Sequence, residues 1–323
     1  MINYRDDINI VALGGGTGLS TMLRGLKKYT ENLSAVVTVA DNGGSSGILR
    51  REMNMLPPGD IRNCILALAE TEPIMEKVFQ YRFTEGSLKG QNLGNLFLAA
   101  LNGIFGSFEQ AIEQTSEVFA VKGKVLPVTT RNVQLCALYD DNSIMVGESE
   151  IVQACKNERK HIKDIWLEPK NPKPHGKAIE AIEQADIVVL GPGSLYTSII
   201  PNLLVRGIPE AIKKSNPKVI YVSNIMTQPG ETDNYNLMNH IKAIEKYLGE
   251  GIIDYVIANN QLIPDEILEL YLEDGAKPVE YEKNILNDKG IEVIEVPLLK
   301  ILDDTTLIRH NSDKLAEVII SIL

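Results

Sequence analysis

Three glycine-rich stretches hold most of the chemistry this 323-residue chain can offer, and each follows an apolar run. Gly14-Gly15-Gly16-Thr17-Gly18 follows residues 8–13 and opens a helical pattern of Leu19, Met22, Leu23 and Leu26. A helix start leaves backbone N–H groups unpaired and carries partial positive charge, so it attracts phosphate. Glycine lets a diphosphate approach the backbone with no Cβ in the way. The pattern is not that of a P-loop, because the Lys-Ser/Thr pair is missing, and Thr21 stands where a third dinucleotide-binding glycine belongs. The second stretch, Asp41-Asn42-Gly43-Gly44-Ser45-Ser46-Gly47, adds two hydroxyls and is followed by Arg50 and Arg51. Asp41 stands after the second apolar run, where NAD enzymes keep a ribose-binding acid. The third, Gly191-Pro192-Gly193-Ser194-Leu195-Tyr196-Thr197-Ser198, again follows an apolar run. Each loop alone could be a plain turn. Three such loops at the carboxyl ends of strands in one sheet would converge on one crevice, which suits a large phosphate-bearing ligand.

Further polar residues open helical patterns. Asp60-Ile61-Arg62-Asn63 follows Pro57-Pro58-Gly59, and Gln91-Asn92-Leu93-Gly94-Asn95 precedes another apolar stretch. Asp60, Asn92 and Asn95 could equally be N-caps. Arg62 on an otherwise apolar helix suits a cleft-facing charge. Asp41 and Asp60 could together hold Mg²⁺ with phosphate oxygens, since Mg²⁺ takes one or two carboxylates beside its substrate. No resident metal is expected: His161, His175, His240 and His310 are scattered, and Cys64, Cys136 and Cys155 make no C-x-x-C pair. No nucleophile–His–Asp set can be assembled.

These residues need a scaffold, and the patterning describes one. Residues 33–39, 187–190, 218–223 and 252–258 are continuous apolar runs, which mark strands covered on both faces. Helical patterns at about 61–70, 73–83, 92–104, 107–119, 176–185, 233–248 and 264–275 alternate with them, and 312–322 closes the chain. Residues 121–174 change to period 2 around Val133, Leu135, Ala137 and Tyr139 and end in a Pro-rich stretch. The reading is α/β: one Rossmann-like, doubly wound parallel sheet over residues 1–323, with a β-rich insertion at 121–174. The net charge, 32 Lys+Arg against 43 Asp+Glu or −11, argues against nucleic-acid binding. The uncharged run 187–205 carries Gly191, Pro192, Gly193, Pro201 and Asn202, so membrane insertion is not expected. With no secretory leader pattern and no disulfide framework, a cytoplasmic location is expected.

The ordered motifs VALGGGTGLS at 11–20, ADNGGSSG at 40–47, PPGDIRN at 57–63, GQNLGN at 90–95 and LGPGSLYTS at 190–198 resemble the YvcK family of gluconeogenesis factors. That family lies within the superfamily of CofD, the 2-phospho-lactate transferase. The resemblance spans essentially the whole chain; Gln91 stands where the family pattern often has His. It implies a Rossmann-like core whose nucleotide cleft binds UDP-sugars such as UDP-N-acetylglucosamine. It also implies a role in cell shape, cell-wall precursor supply and carbon metabolism. Gly15, Gly16, Thr17, Gly18, Asp41, Asn42, Ser45, Ser46, Asp60, Arg62, Asn63, Asn95, Gly191, Gly193, Ser194, Tyr196 and Thr197 are the expected ligand contacts. By the same resemblance Arg309, just before the last helix, contacts the UDP-sugar. A homo-oligomer is expected. The CofD branch implies instead a Mg²⁺-dependent transferase, and the Rossmann pattern with Asp41 alone would suit an NAD(P)-dependent oxidoreductase. The R-H-N segment at 309–311 favours the first branch.

Overall fold

The computed structural model describes residues 4, 5, 7–158, 160–302 and 305–322, with the backbone alone for 155–158, so the Cys155 side chain lies outside the description. Seven parallel strands form the central sheet: β1 (Ile10–Gly14), β2 (Leu33–Val37), β3 (Lys124–Pro127), β7 (Ile187–Leu190), β8 (Lys218–Val222), β9 (Tyr255–Asn259) and β10 (Glu292–Val296). Between them in sequence lie β4 (Gln134–Tyr139), β5 (Ile144–Val146) and β6 (Ile162–Glu168), and β11 (Leu299–Ile301) and β12 (Ile308–His310) follow. The central order is β10-β9-β8-β7-β1-β2-β3. β1 and β7 are buried at every position, as continuous Val, Ile and Leu runs under helices on both faces require.

β4, β5 and β6 make a separate antiparallel sheet, the period-2 segment of the sequence. β3, also within 121–174, is instead the edge strand of the main sheet, paired in parallel with β2. Its run is only four residues long, too short to read apart from its neighbours by periodicity. The separate sheet therefore begins after Pro127. Helices α1 (Gly16–Leu26), α2 (Gly44–Met53) and α3 (Gly59–Leu68) follow the first two strands. Residues 44–53 show no helical period in the sequence, because two glycines, two serines and two arginines hide it. The β11–β12 hairpin also departs from the expected pattern, being three residues per strand. Beside the main core, Ile225, Met226, Ala276, Leu299 and Ile308 form a small second cluster, with Ile263, Ile267, Leu268 and Tyr271 against it. Among the described residues no helix is long and apolar enough to cross a membrane.

Candidate functional site

The chain runs from β1 outward to β2 and β3, then returns to β7 on the other side of β1 and continues to β10. The strand order thus reverses between β1 and β7, and the crevice beyond their carboxyl ends is where doubly wound sheets bind ligands. The first and third glycine loops meet there. A Cβ on Gly18 would overlap the Pro192 carbonyl, and one on Gly193 would lie 3.2 Å from Ser198 Cβ and 3.5 Å from the Gly15 carbonyl oxygen. Gly18 therefore serves the packing of one loop on the other. Gly16 has a different need: its φ of +65° is left-handed, while its Cβ direction is nearly open, with Ser198 Oγ 3.7 Å away.

A cavity of about 470 Å³ opens beside these loops. Gly15, Gly16, Thr17, Gly18, Gly193 and Ser194 line one side, and the C-terminal half supplies Asn224, Gln228, Glu231, Tyr271, Arg309 and His310. The β11–β12 hairpin brings Arg309 there, pairing Lys300 with Arg309. Its neighbours anchor it: the Ile308 N–H donates to the Tyr271 hydroxyl at 2.8 Å, and His310 Nε2 meets the Ser223 carbonyl at 3.0 Å. Burial holds the His310 imidazole down, to about 4, and the Arg309 charge adds to this, so the ring is neutral at pH 7. Arg309 gives one N–H to its neighbour's carbonyl at Ile308, 2.8 Å away, but its Nε is buried with no partner. Asn224 Oδ1, on the same cavity, is buried and unpartnered as well. Buried polar atoms are costly to leave unbonded, so such atoms on a cavity wall mark where a ligand's polar groups belong.

The second loop is differently engaged. Ser45 Oγ donates to Gln91 Oε1 at 2.7 Å and accepts from the Asn92 N–H and from Asn95 Nδ2, both at 3.2 Å. Arg62 donates to Asn95 Oδ1 at 2.9 Å and Asn63 Oδ1 at 2.7 Å, though its Nε is unpartnered. Asn92 is the N-cap of the helix Leu93–Phe105, accepting the Asn95 N–H. Ser46 Oγ accepts the Gly59 N–H at 3.1 Å, and Asp41 Oδ1 accepts the Gly43 N–H at 2.8 Å. Asn42 bonds Glu150 Oε2 and the Ser149 N–H, tying this loop to the helix Glu148–Glu158.

Asp60 sits in the first turn of α3, with its Oδ2 2.7 Å from where a Gly15 Cβ would stand. Loss of hydration pushes its carboxyl up to about 6, and the Asp41 charge adds to this; the Gly16 N–H and Arg62 pull the other way. Glu148 is raised well above its ordinary value, first by lost hydration and then by Asp41, Asp60 and Glu231. Asp41 reaches the same helix start, its Oδ2 3.4 Å from where a Cβ of Gly59, the residue before Asp60, would stand. Among the described residues no group of three or more His, Cys, Asp or Glu side chains is placed to hold a metal ion. Two carboxylates fit a Mg²⁺ that arrives with phosphate oxygens to complete its shell.

Of the expected contacts, the first loop, Gly193, Ser194 and Arg309 come together on the cavity. Ser45, Arg62, Asn63 and Asn95 make the adjoining network. Gly191, at φ +81°, has its Cβ direction closed by Ile199 Cδ1 at 2.9 Å. Tyr196 and Thr197 turn inward, with Tyr196 Oη 2.8 Å from Tyr235 Oη and Thr197 Oγ1 donating to Glu231 at 3.0 Å. Sequence reasoning missed Glu148, Asn224, Gln228 and Glu231. The polar Gln228-Pro229-Gly230-Glu231 turn soon after the apolar run 218–223 was the available signal for the last two.

Similarity to known proteins bears on the fold and the family. The family profile described as 2-phospho-L-lactate transferase CofD matches residues 10–299. A Thermoanaerobacterium thermosulfurigenes protein provisionally named a gluconeogenesis factor is 54% identical over 99% of this chain and 98% of its own. The gluconeogenesis factor of Bacillus subtilis is 44% identical over 97% of this chain and 98% of its own. A crystal structure of a Bacillus halodurans protein superposes with a TM-score of 0.92 at 45% identity, covering 97% of this chain and 99% of that one. By fold, by glycine loops and by sequence over nearly its full length, the chain belongs to the CofD family, alongside its gluconeogenesis-factor members.

Proposed function

We propose that the crevice binds a nucleoside diphosphate sugar, with UDP-N-acetylglucosamine as the first candidate, and that its occupancy regulates cell-wall precursor supply and cell shape during growth on gluconeogenic carbon. One observation carries the reading: the unpartnered Nε of Arg309 lines the same cavity as Gly16, Thr17, Gly18 and Gly193. A guanidinium fork is planar, permanently charged and bidentate, which suits a diphosphate or a uracil carbonyl. Asp41 and Asp60 are the residues that would hold Mg²⁺, whose charge would offset that of the diphosphate. Titration calorimetry with UDP-N-acetylglucosamine, UDP, GDP and NAD, with and without Mg²⁺, tests this. Binding of the UDP-sugar without turnover is expected; a preference for NAD would defeat the reading.

A second reading is a CofD-like transferase of phosphorus-containing groups. The observation favouring it is the Asp60 carboxyl, which stands 2.7 Å from where a Cβ of Gly15 in the first loop would lie. A phosphate-linked product that forms in time and is lost in Asp60→Asn would establish it over the regulator.

A further inference from the structure

The third glycine loop leads into a helical segment, a π turn at Leu195–Ile199 continued by Ile200–Leu203. Its start resembles a phosphate cradle in sequence. In the fold that place is taken. Glu231 accepts the Tyr196 N–H at 3.2 Å on one oxygen and the Thr197 hydroxyl at 3.0 Å on the other. The turn that presents Glu231 is closed on itself: the Glu231 and Thr232 N–H groups donate to the Gln228 carbonyl at 3.0 and 2.9 Å, and the Gln228 N–H donates to Thr232 Oγ1 at 2.9 Å. Glu231 is only 8% exposed, yet it forms part of the cavity wall.

We propose that Glu231 is a resident anion that sets the polarity of the crevice: it closes the third loop to phosphate and receives a hydroxyl-bearing, neutral part of the ligand instead. The proposal rests on the nucleotide-sugar reading for the ligand, but not for the closure. A carboxylate offers about four acceptor positions, and the Tyr196 and Thr197 bonds leave some for a hydroxyl donor. A phosphate brought to the same place would meet a like charge in a poorly hydrated setting, which is unfavourable. Phosphate is therefore directed to the side lined by Gly16, Thr17, Gly18 and Arg309. Gln228, on the same turn, donates to Ser194 Oγ at 2.9 Å, so the third loop's own hydroxyl is also engaged. The hydroxyls that meet Glu231 belong to a sugar, either the ribose or the hexose.

The test compares wild type, Glu231→Gln and Glu231→Ala for UDP-N-acetylglucosamine, UDP and inorganic pyrophosphate by titration calorimetry at pH 8.5, above the range in which Glu231 takes up its proton, with far-UV dichroism to check folding. Glu231→Gln should lower one affinity ratio about tenfold, the amount one hydrogen bond to a charged group contributes. A fall in UDP-N-acetylglucosamine over UDP assigns the hexose; a fall in UDP affinity in the variant over that in wild type assigns the ribose. Glu231→Ala, or Glu231→Gln if the alanine variant does not fold, should gain pyrophosphate affinity about tenfold, because the loop's N–H groups are released. The pyrophosphate arm uses no nucleotide. If wild type binds no nucleotide, the proposed function fails while that gain still upholds the closure. No gain in pyrophosphate affinity, or both ratios unchanged in a nucleotide-binding chain, overturns the role given to Glu231.

Discussion

The first and second glycine loops lie side by side at the ends of β1 and β2 and draw on the same residue types, yet the fold treats them differently. At the second loop, polar side chains are bonded to one another: Ser45 to Gln91 and Asn95, Arg62 to Asn95 and Asn63, Asn42 to the helix Glu148–Glu158. At the first loop the chain leaves open space, an unpartnered Arg309 Nε and an unpartnered Asn224 Oδ1. A glycine-and-serine motif can thus be engaged in bonds of its own or open onto a cavity. Unpartnered atoms that face open space separate the two: Arg62 Nε is unpartnered as well, but Arg62 does not line the cavity, whereas Arg309 and Asn224 do, and an unsatisfied atom on a cavity wall gains much from a ligand.

That contrast can be broken in several ways, beginning with the largest effect. Gly18→Val places a side chain against the Pro192 carbonyl, which is backbone and cannot turn aside. We expect about 1–3 kcal/mol of lost stability, the range for overpacking, together with loss of ligand binding. A melting temperature equal to wild type would mean that the two loops are not packed as described. Gly16→Ala meets space rather than atoms, so its cost should come from the left-handed backbone alone, about 1 kcal/mol.

Arg309→Ala should weaken UDP-sugar binding by about 1.5–3 kcal/mol, the range for a hydrogen bond to a charged group, with the ligand-free melting temperature barely moved. Arg309→Lys should recover only part, since a point charge cannot form the fork. Equal affinities in all three proteins would place Arg309 outside the site. Asn95→Ala should do the reverse. It strips Arg62 and Ser45 of a partner in a region where Asn95 is 2% exposed, so stability should fall by about 1–3 kcal/mol. If affinity falls while the melting temperature stays, the second loop is a ligand site and the contrast collapses.

The most gradual effect is a pH slope. Burial pushes the Glu231 carboxyl up to about 7, against the bonds from Thr197 and the backbone N–H groups of Tyr196 and Thr197. A raised folded value means that the native state holds a proton the unfolded chain has released. The stabilisation is therefore full below about 4.5, the ordinary Glu value, and is lost as pH rises toward and past 7. Wild type should lose stability between pH 5 and 8, at no more than about 1.4 kcal/mol per pH unit for this one group. Glu148, also raised, contributes in the same direction. Glu231→Gln should flatten the slope measured by denaturant titration; an unchanged slope would leave Glu231 without the assigned environment.

Much of this was written in the sequence. Buried parallel strands show as continuous Val and Ile runs, since both of their faces are covered, and a glycine turn after such a run marks a strand end whatever the remaining topology. The family motifs could be read for the same reason: they are local. Tertiary structure alone decided which motif residues face the cavity. Tyr196 and Thr197 stand in the third loop's motif but turn toward Tyr235 and Glu231. Glu231 comes from a turn beyond β8, 34 residues further on than Thr197. Arg309 reaches the crevice only because an antiparallel pair too short to show a period, β11 and β12, carries it there. Periodicity reports which face of an element is covered. It does not report which distant carboxylate, hydroxyl or guanidinium closes on a loop, because those contacts are set by how the elements pack.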